Sequence, residues 1–86
     1  MTPYSLRFKD SVEKDLRRLP AQVRSRCLAR IDQLREDPRP RASAKLTGAV
    51  RTYRLRVGRY RVVYQIDDQE RRVTVEYVRP RGGAYR

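Results

Sequence analysis

The sequence predicts an α+β fold in which two N-terminal helices pack on a small, twisted antiparallel sheet. Three patterns support this prediction. Apolar and polar residues alternate over residues 4–8, apolar residues recur at near-helical spacing over 12–34, and alternation returns in separate runs over 53–77. The predicted order along the chain is therefore strand, helix, helix and three further strands.

The first strand and the first helix are predicted from the N-terminal twenty residues. The alternating apolar residues of the strand are Tyr4, Leu6 and Phe8. Asp10 or Ser11 can then accept hydrogen bonds from the free amides of a first helical turn, and Pro20 breaks the helix. The apolar positions of this helix are Val12, Leu16 and Leu19.

A second, longer helix is predicted to follow, because Pro20 suits a first helical turn. The residues of its apolar stripe are Val23, Cys27, Leu28, Ile31 and Leu34. Pro38 and Pro40 cannot continue a helix, so residues 37–44 are predicted to form a loop that leads to Lys45.

Three antiparallel strands are predicted from the alternating runs of the C-terminal half. A two-residue turn at 57–58 places Arg54 opposite Arg61, and a four-residue turn over 67–70 sets Glu76 beside Arg61. The tyrosines that share the apolar positions are predicted to lie in the core: Tyr53, Tyr60, Tyr64 and Tyr77.

Length and composition predict one domain, residues 1–86, with a flexible basic tail over 79–86. A single cysteine, Cys27, excludes a disulfide framework and a cysteine-rich metal site, and it fits a reducing cytoplasm. No apolar run is long enough for a signal peptide or a membrane span. A soluble, cytoplasmic protein is therefore expected.

The net charge predicts a polyanionic or acidic partner. Twenty-two basic and 10 acidic residues give a formal charge of +12, a field that attracts nucleic acid before contacts form. Like charges on facing strand positions destabilise a sheet by roughly 0.2–1 kcal/mol per pair, and an anion bound across them would reverse this effect. Each arginine taken alone is equally typical of a solvated strand face.

Five segments of the chain carry a more specific pattern. They are FKDSVEKDLRRLP at 8–20, KL at 45–46, LRVGRYRVVYQID at 55–67, VRPR at 78–81 and AYR at 84–86. Together they resemble the RelE/ParE superfamily of bacterial and archaeal toxins, whose members place a small sheet on two N-terminal helices. The resemblance implies one of two activities: RelE-like members cut messenger RNA in the ribosomal A site with the RNA's own 2′-hydroxyl and no metal, and ParE-like members poison DNA gyrase.

The resemblance also implies roles for individual residues. Arg61 falls where the ribonucleases bind phosphate, Arg81 matches a basic residue at the strand exit, and Tyr85 matches a C-terminal aromatic proposed as general base. Arg54 matches a position that binds RNA and tunes the reacting groups. The residues expected to bind RNA are Lys45, Arg56, Arg59 and Arg79.

The chemistry of these residues leaves the proton donor unassigned. The chain has no histidine, and Pro80 stands where many members of the superfamily carry one. Arg54 and Arg56 stand where the best-known ribonucleases carry lysine, and arginine keeps the charge but donates protons poorly. Tyr85 can act as a base only if neighbouring cations favour its phenolate, and it can equally be an incidental aromatic of the tail.

The leading prediction is a toxin that inhibits translation as a metal-independent, ribosome-dependent endoribonuclease without a cofactor. Two alternatives stay open: a non-catalytic inhibitor of DNA gyrase, and a non-toxic member that binds only nucleic acid and its antitoxin. The predicted partners are an acidic antitoxin, the ribosome and messenger RNA. DNA is expected to be reached only through the antitoxin, and no membrane partner is expected.

Overall fold

The computed structural model describes residues 3–81. Its elements are β1 (Ser5–Phe8), α1 (Asp10–Arg17), α2 (Ala21–Gln33), β2 (Ser43–Lys45), β3 (Thr52–Val57), β4 (Tyr60–Asp67) and β5 (Arg72–Pro80). The predicted fold class is confirmed. Residues 79 and 80 belong to β5, so the tail predicted over 79–86 starts too early, and residues 82–86 lie outside the described part of the chain.

The five strands form one mixed sheet in the order β1-β5-β4-β3-β2. β1 runs parallel to β5, whereas the other neighbours are antiparallel, so the expectation of a wholly antiparallel sheet is corrected. Alternating apolar residues identify a strand but carry no information about the direction of its neighbour. β2 is an addition to the predicted order. Ser43 donates from its backbone nitrogen and its hydroxyl to the Pro40 carbonyl, at 2.9 and 2.7 Å, which turns the chain beside β3.

Both helices pack on one face of the sheet, here called the helix face. The helices and the residues just after them contribute Val12, Leu19, Cys27, Ile31 and Leu34 to the buried core. The sheet contributes Leu55, Val57, Val62, Tyr64, Ile66, Val73, Val75 and Val78. Within residues 3–81, neither helix has the length and apolar character needed to cross a membrane.

The first helix begins without the predicted side-chain cap. Its N-cap residue is Lys9, which makes no side-chain capping hydrogen bond, and Asp10 and Ser11 already lie inside the helix. Asp10 and Glu13 nevertheless place negative charge in the first turn, where it interacts favourably with the helix dipole.

The β3–β4 hairpin turns one residue later than predicted. Gly58 and Arg59 form the turn, and Gly58 has a φ of 60°, a conformation that glycine adopts without strain. As a result Arg61 faces Arg56, and Arg54 faces Val63. The partner changes by two residues, which leaves every side chain on its predicted face because the side-chain period of a strand is two.

A later turn and a β-bulge in the β4–β5 pair correct two further predictions. Tyr64 pairs with Val75 but Val63 pairs with Tyr77, so Glu76 is an extra residue in β5. Beyond the bulge Val78 enters the core, and Tyr77 lies on the opposite face instead of in the core as predicted. The turn comprises residues 68–71 instead of the predicted 67–70, which shifts the register by two residues, and the bulge shifts it by one more, so Arg61 faces Arg79 and not Glu76. The Glu76 carboxylate instead lies 3.3 Å from the Lys9 amine.

Asp15 joins α1 to the edge of β5 beyond the end of β1. Its side chain is buried, and Oδ2 accepts a hydrogen bond of 3.1 Å from the Val78 backbone nitrogen. The same oxygen lies 4.0 Å from Nε of Arg79. The carboxylate therefore satisfies a backbone donor that no neighbouring strand reaches.

Replacing Asp15 with alanine is expected to lower the free energy of unfolding by about 1–3 kcal/mol, because the buried Val78 amide loses its acceptor. Urea unfolding at neutral pH measures the change. Asp15→Asn is the matched control, since its amide oxygen can still accept the bond, and we expect it to retain most of the stability. Equal losses in the two variants would contradict a hydrogen-bonding role.

A second side-chain network joins the residue before β1, the loop after α2 and the β4–β5 turn. Asp68, in the β4–β5 turn, accepts hydrogen bonds from Nη1 and Nη2 of Arg39 at 3.2 and 2.7 Å and from the Tyr4 hydroxyl at 2.6 Å. Hydrogen bonds from Arg39, and then from Tyr4, lower the pKa of Asp68 to about 2. The Asp68 side chain is 56% exposed, so solvent weakens the pair.

The Asp68 network predicts a small loss of stability in acid. The folded pKa lies below the unfolded value of about 3.9, so the contribution is present above pH 4 and is lost as the pH falls towards 2. Asp68→Asn is expected to lower the free energy of unfolding by at most about 1 kcal/mol at pH 7 and by less at pH 2. Urea unfolding at both pH values measures this difference, and a constant difference would contradict the linkage.

Candidate nucleic-acid interface

The sheet face opposite the helices, here called the outer face, carries most of the predicted site. Residues that face each other across strands share a face, and those flanking the core residues point away from the helices. The outer face comprises Ser5, Arg7, Ala44, Thr52, Arg54, Arg56, Arg61, Val63, Gln65, Asp67, Arg72, Thr74, Tyr77 and Arg79. Its charge is predominantly positive.

Three arginines form a row across this face, close to the β3–β4 hairpin. Arg61 of β4 lies directly between Arg56 of β3 and Arg79 of β5. Within residues 3–81, no carboxylate forms an ion pair with Arg54, Arg56 or Arg61. Facing like charges destabilise a sheet, so Arg54, Arg56 and Arg61 are arranged for an anion that residues 3–81 do not supply.

Arg61 is the central residue of the row and has an unsatisfied donor. Its Nε is buried and has no hydrogen-bond partner in the described part of the chain. Buried donors without a partner are rare and unfavourable. A phosphate oxygen is a matching acceptor, because guanidinium binds phosphate through two parallel hydrogen bonds.

Arg54 extends the positive potential along β3. Burial lowers the pKa of its guanidinium, and the charges of Arg56, Arg61 and Arg81 lower it further. Repulsion from the three neighbouring guanidinium groups thus adds to the effect of burial. Arginine stays protonated at neutral pH, so the repulsion is relieved by an anion and not by loss of a proton.

Arg79 and Arg81 have more contacts that hold their side chains in place than Arg54, Arg56 and Arg61. The Arg79 guanidinium lies over the Tyr77 ring, 4.4 Å from its centroid, and Asp15 lies at its edge. Arg81 donates from its backbone nitrogen to the Arg59 carbonyl at 2.8 Å and from Nη1 to the Gly58 carbonyl at 3.3 Å. The strand exit is thus fastened to the tip of the β3–β4 hairpin.

The remaining predicted residues are distributed differently. Arg59 is exposed at the hairpin tip, beside the row. Lys45 is not part of the outer face: it pairs with Tyr53, whose ring packs against the core on the helix face. Its part in binding RNA stays a prediction. Tyr85 lies outside the described residues.

Two residues of the interface were missed from the sequence. Tyr77 was assigned to the core because it continues the alternation of Val73 and Val75, but Val78 follows Val75 at a spacing of three, which is the signal of a bulge. Asp15 resembled an ordinary exposed helix residue, and no pattern in the sequence indicates its contact with Val78.

The described residues supply positive charge and directed hydrogen-bond donors. Such a set can bind a phosphodiester and stabilise extra negative charge in a transition state. Within residues 3–81, no three histidine, cysteine, aspartate or glutamate side chains form a group that could hold a metal ion.

Comparison with known proteins places the chain among toxins. A family model described as the ParE toxin of the type II toxin–antitoxin system parDE matches residues 6–85. The Mycobacterium tuberculosis H37Rv protein named Toxin RelE is 29% identical over 85 residues, which cover 98% of this chain and 88% of that protein.

Two solved structures share the fold. RelE in the archaeal RelE–RelB complex from Pyrococcus horikoshii OT3 has a TM-score of 0.84 and 34% identity, covering 98% of this chain and 100% of that one. A chain of the intact Escherichia coli RelBE toxin–antitoxin complex has a TM-score of 0.80 and 30% identity, covering 93% of this chain and 99% of that one.

Proposed function

Because the chain belongs to the RelE/ParE family of type II toxin–antitoxin toxins, we propose that it cleaves messenger RNA on the ribosome and so inhibits translation. The observation that carries this proposal is that Arg54, Arg56 and Arg61 share one face and have no carboxylate partner among residues 3–81. The relatives named RelE favour the same activity.

In the proposed reaction the RNA supplies its own nucleophile. The 2′-oxygen attacks the adjacent phosphorus, the bond to the 5′-oxygen breaks, and the departing 5′-oxygen takes a proton from water, so a 2′,3′-cyclic phosphate and a 5′-hydroxyl result. Arg61 binds the phosphate, and Arg54, Arg56 and Arg81 stabilise the charge that develops on it. Tyr85 is the proposed base for the 2′-hydroxyl, a role that requires nearby cations to favour its phenolate.

Primer extension on translated messages, shortly after the protein is induced, tests this activity. We expect discrete cuts within codons that require translation of the message. The positions of the cuts are read from the lengths of the extension products. Labelling with a polynucleotide kinase then distinguishes the expected 5′-hydroxyl ends from the 5′-phosphate ends that many hydrolytic nucleases leave. Messages that stay intact while translation stops would overturn the proposal.

A second candidate, inhibition of DNA gyrase, is favoured by the description of the matched family model as a ParE toxin. The same induction distinguishes the two. Gyrase-trapped double-strand breaks in DNA with intact messages would support the second candidate, and cut messages with intact DNA would support the first. If neither cut messages nor DNA breaks are found, the chain is a member that binds only nucleic acid and its antitoxin.

The proposed partner in the cell is an acidic antitoxin, as in the RelE–RelB complexes of the relatives. An acidic segment over the arginine row would neutralise it and exclude RNA, and any contact with DNA would belong to the antitoxin. The proposed compartment is the cytoplasm, where the ribosomes are.

Binding of the antitoxin is expected to weaken as salt rises. Exposed charges more than about 8–10 Å apart are largely screened at physiological ionic strength, so a +12 protein loses attraction to an acidic partner. Isothermal titration calorimetry from 50 to 500 mM salt measures the trend. An affinity that does not depend on salt would show that apolar contacts dominate the complex.

A further inference from the structure

The outer face carries a second feature, a pocket of about 320 Å³ at the end of the sheet away from the arginine row. Its lining includes Gln65 and Asp67 of β4, Thr74 and Arg72 of β5, and Val50. This volume falls within the roughly 300–1,000 Å³ typical of small-ligand sites. No residue of the arginine row lines this pocket.

The polar groups of the pocket come from two facing pairs of the sheet. Gln65 lies opposite Thr74, and Asp67 lies opposite Arg72. The amide and the hydroxyl can each donate and accept hydrogen bonds, the guanidinium only donates, and the carboxylate only accepts. Such a mixed set matches the edge of a nucleobase, which alternates donors and acceptors.

Arg72 has a hydrogen-bonding capacity that the described chain leaves unused. Its Nε is buried and has no partner within residues 3–81, while Nη2 lies 3.8 Å from the Glu70 carboxylate. A buried donor without an acceptor is unfavourable. An acceptor from a bound ligand would satisfy it.

Val50 gives the pocket an apolar wall. It is 78% exposed, the most exposed of the large apolar residues in the described chain. Its position is nevertheless held, because the Thr52 hydroxyl donates to the Val50 carbonyl at 2.8 Å and the Ile66 amide donates to the Arg51 carbonyl at 3.0 Å. Arg51 adopts the left-handed conformation, with a φ of 55°, to make this turn.

The pocket and the arginine row lie on the same face of the sheet, one after the other along β4. Gln65 follows Arg61 by four residues on the same strand and the same face, a distance of about 13 Å. We propose that this pocket binds one unpaired nucleobase of the RNA whose phosphate lies on the arginine row, a few nucleotides from the bond that is cut. This inference rests on the proposed function.

Binding of short RNA tests the pocket without requiring cleavage. Fluorescence anisotropy would use a fully 2′-O-methylated single-stranded oligoribonucleotide, which cannot attack its own phosphates, and a series in which each nucleotide in turn is abasic. We expect one abasic position to weaken binding about five- to hundredfold, as the loss of one stacked and hydrogen-bonded base does.

Two variants identify where that base binds. Gln65→Ala combined with Val50→Ser changes only exposed side chains, and we expect it to bind the intact oligonucleotide as weakly as the wild type binds the critical abasic one. The affinity of this double variant should also be the same for the intact oligonucleotide and for the one with the critical abasic position. Arg61→Ala should instead weaken binding to the whole series equally and keep the position dependence, because it removes a phosphate contact.

The outcomes separate this inference from the proposed function. If the double variant keeps the affinity and the position dependence of the wild type, the proposed base-binding pocket is overturned, and the cleavage activity is not affected. An abasic series in which no position is critical would overturn the pocket in the same way. Uncut messages together with a position dependence that requires Gln65 would instead overturn the cleavage activity and retain the pocket.

Discussion

Replacement of Arg61 with alanine is expected to lower the rate of message cleavage about 100- to 1,000-fold, equivalent to roughly 2.7–4 kcal/mol of transition-state stabilisation. Arg61 lies between Arg56 and Arg79, and its buried Nε has no partner in the described chain. Single-turnover cleavage on purified ribosomes stalled at one codon measures the change directly.

Two further variants keep this result interpretable. Arg17→Ala removes one positive charge from the exposed surface of α1, and we expect cleavage within about twofold of the wild type because α1 packs on the opposite face of the sheet and solvent screens the charge. Arg61→Lys keeps the charge but loses the bidentate geometry, and an intermediate rate is expected. Wild-type cleavage by a folded Arg61→Ala protein would remove Arg61 from the mechanism.

The same substitution should not destabilise the fold. Arg61 faces two other arginines, so its removal relieves repulsion across both neighbouring strands. We therefore infer that the arginine row is retained at some expense of stability, a pattern that is common where binding groups are brought together before the ligand arrives.

The common face of the arginines was predictable from the sequence because it depends on local geometry alone. Successive side chains of a strand alternate between faces, so Arg54 and Arg56 share a face wherever the hairpin turns. The predicted register was wrong by two residues, yet Arg61 still came to the same face. The exact neighbour of each arginine depended on the turn, which Gly58 alone did not determine.

Other features depend on contacts between distant segments, which alternation does not encode. The bulge at Glu76 changes the face of every residue after Val75 and takes Tyr77 out of the core. Lys45 lies on the helix face because the turn at Pro40 and Ser43 sets the register of β2 against β3. The resemblance in sequence indicated which residues matter but not which face each one occupies.

Replacement of Tyr64 with alanine is expected to lower the free energy of unfolding by about 3–5 kcal/mol, the usual range for removing a large buried aromatic. Tyr64 is fully buried, stacks on Tyr53 with centroids 6.0 Å apart, and donates a 2.7 Å hydrogen bond to the Pro38 carbonyl. It thereby fastens the loop after α2 to the centre of the sheet. Urea unfolding monitored by circular dichroism measures the loss.

Tyr64→Phe separates the hydroxyl from the ring. It keeps the packing and removes one hydrogen bond, so a loss of about 0.5–1.5 kcal/mol is expected. Burial raises the pKa of Tyr64 to about 12, and the hydroxyl therefore remains a donor well into the alkaline range, where the difference between wild type and Tyr64→Phe should persist. If phenylalanine were as destabilising as alanine, the hydrogen bond to Pro38, and not the packing of the ring, would hold the loop on the sheet.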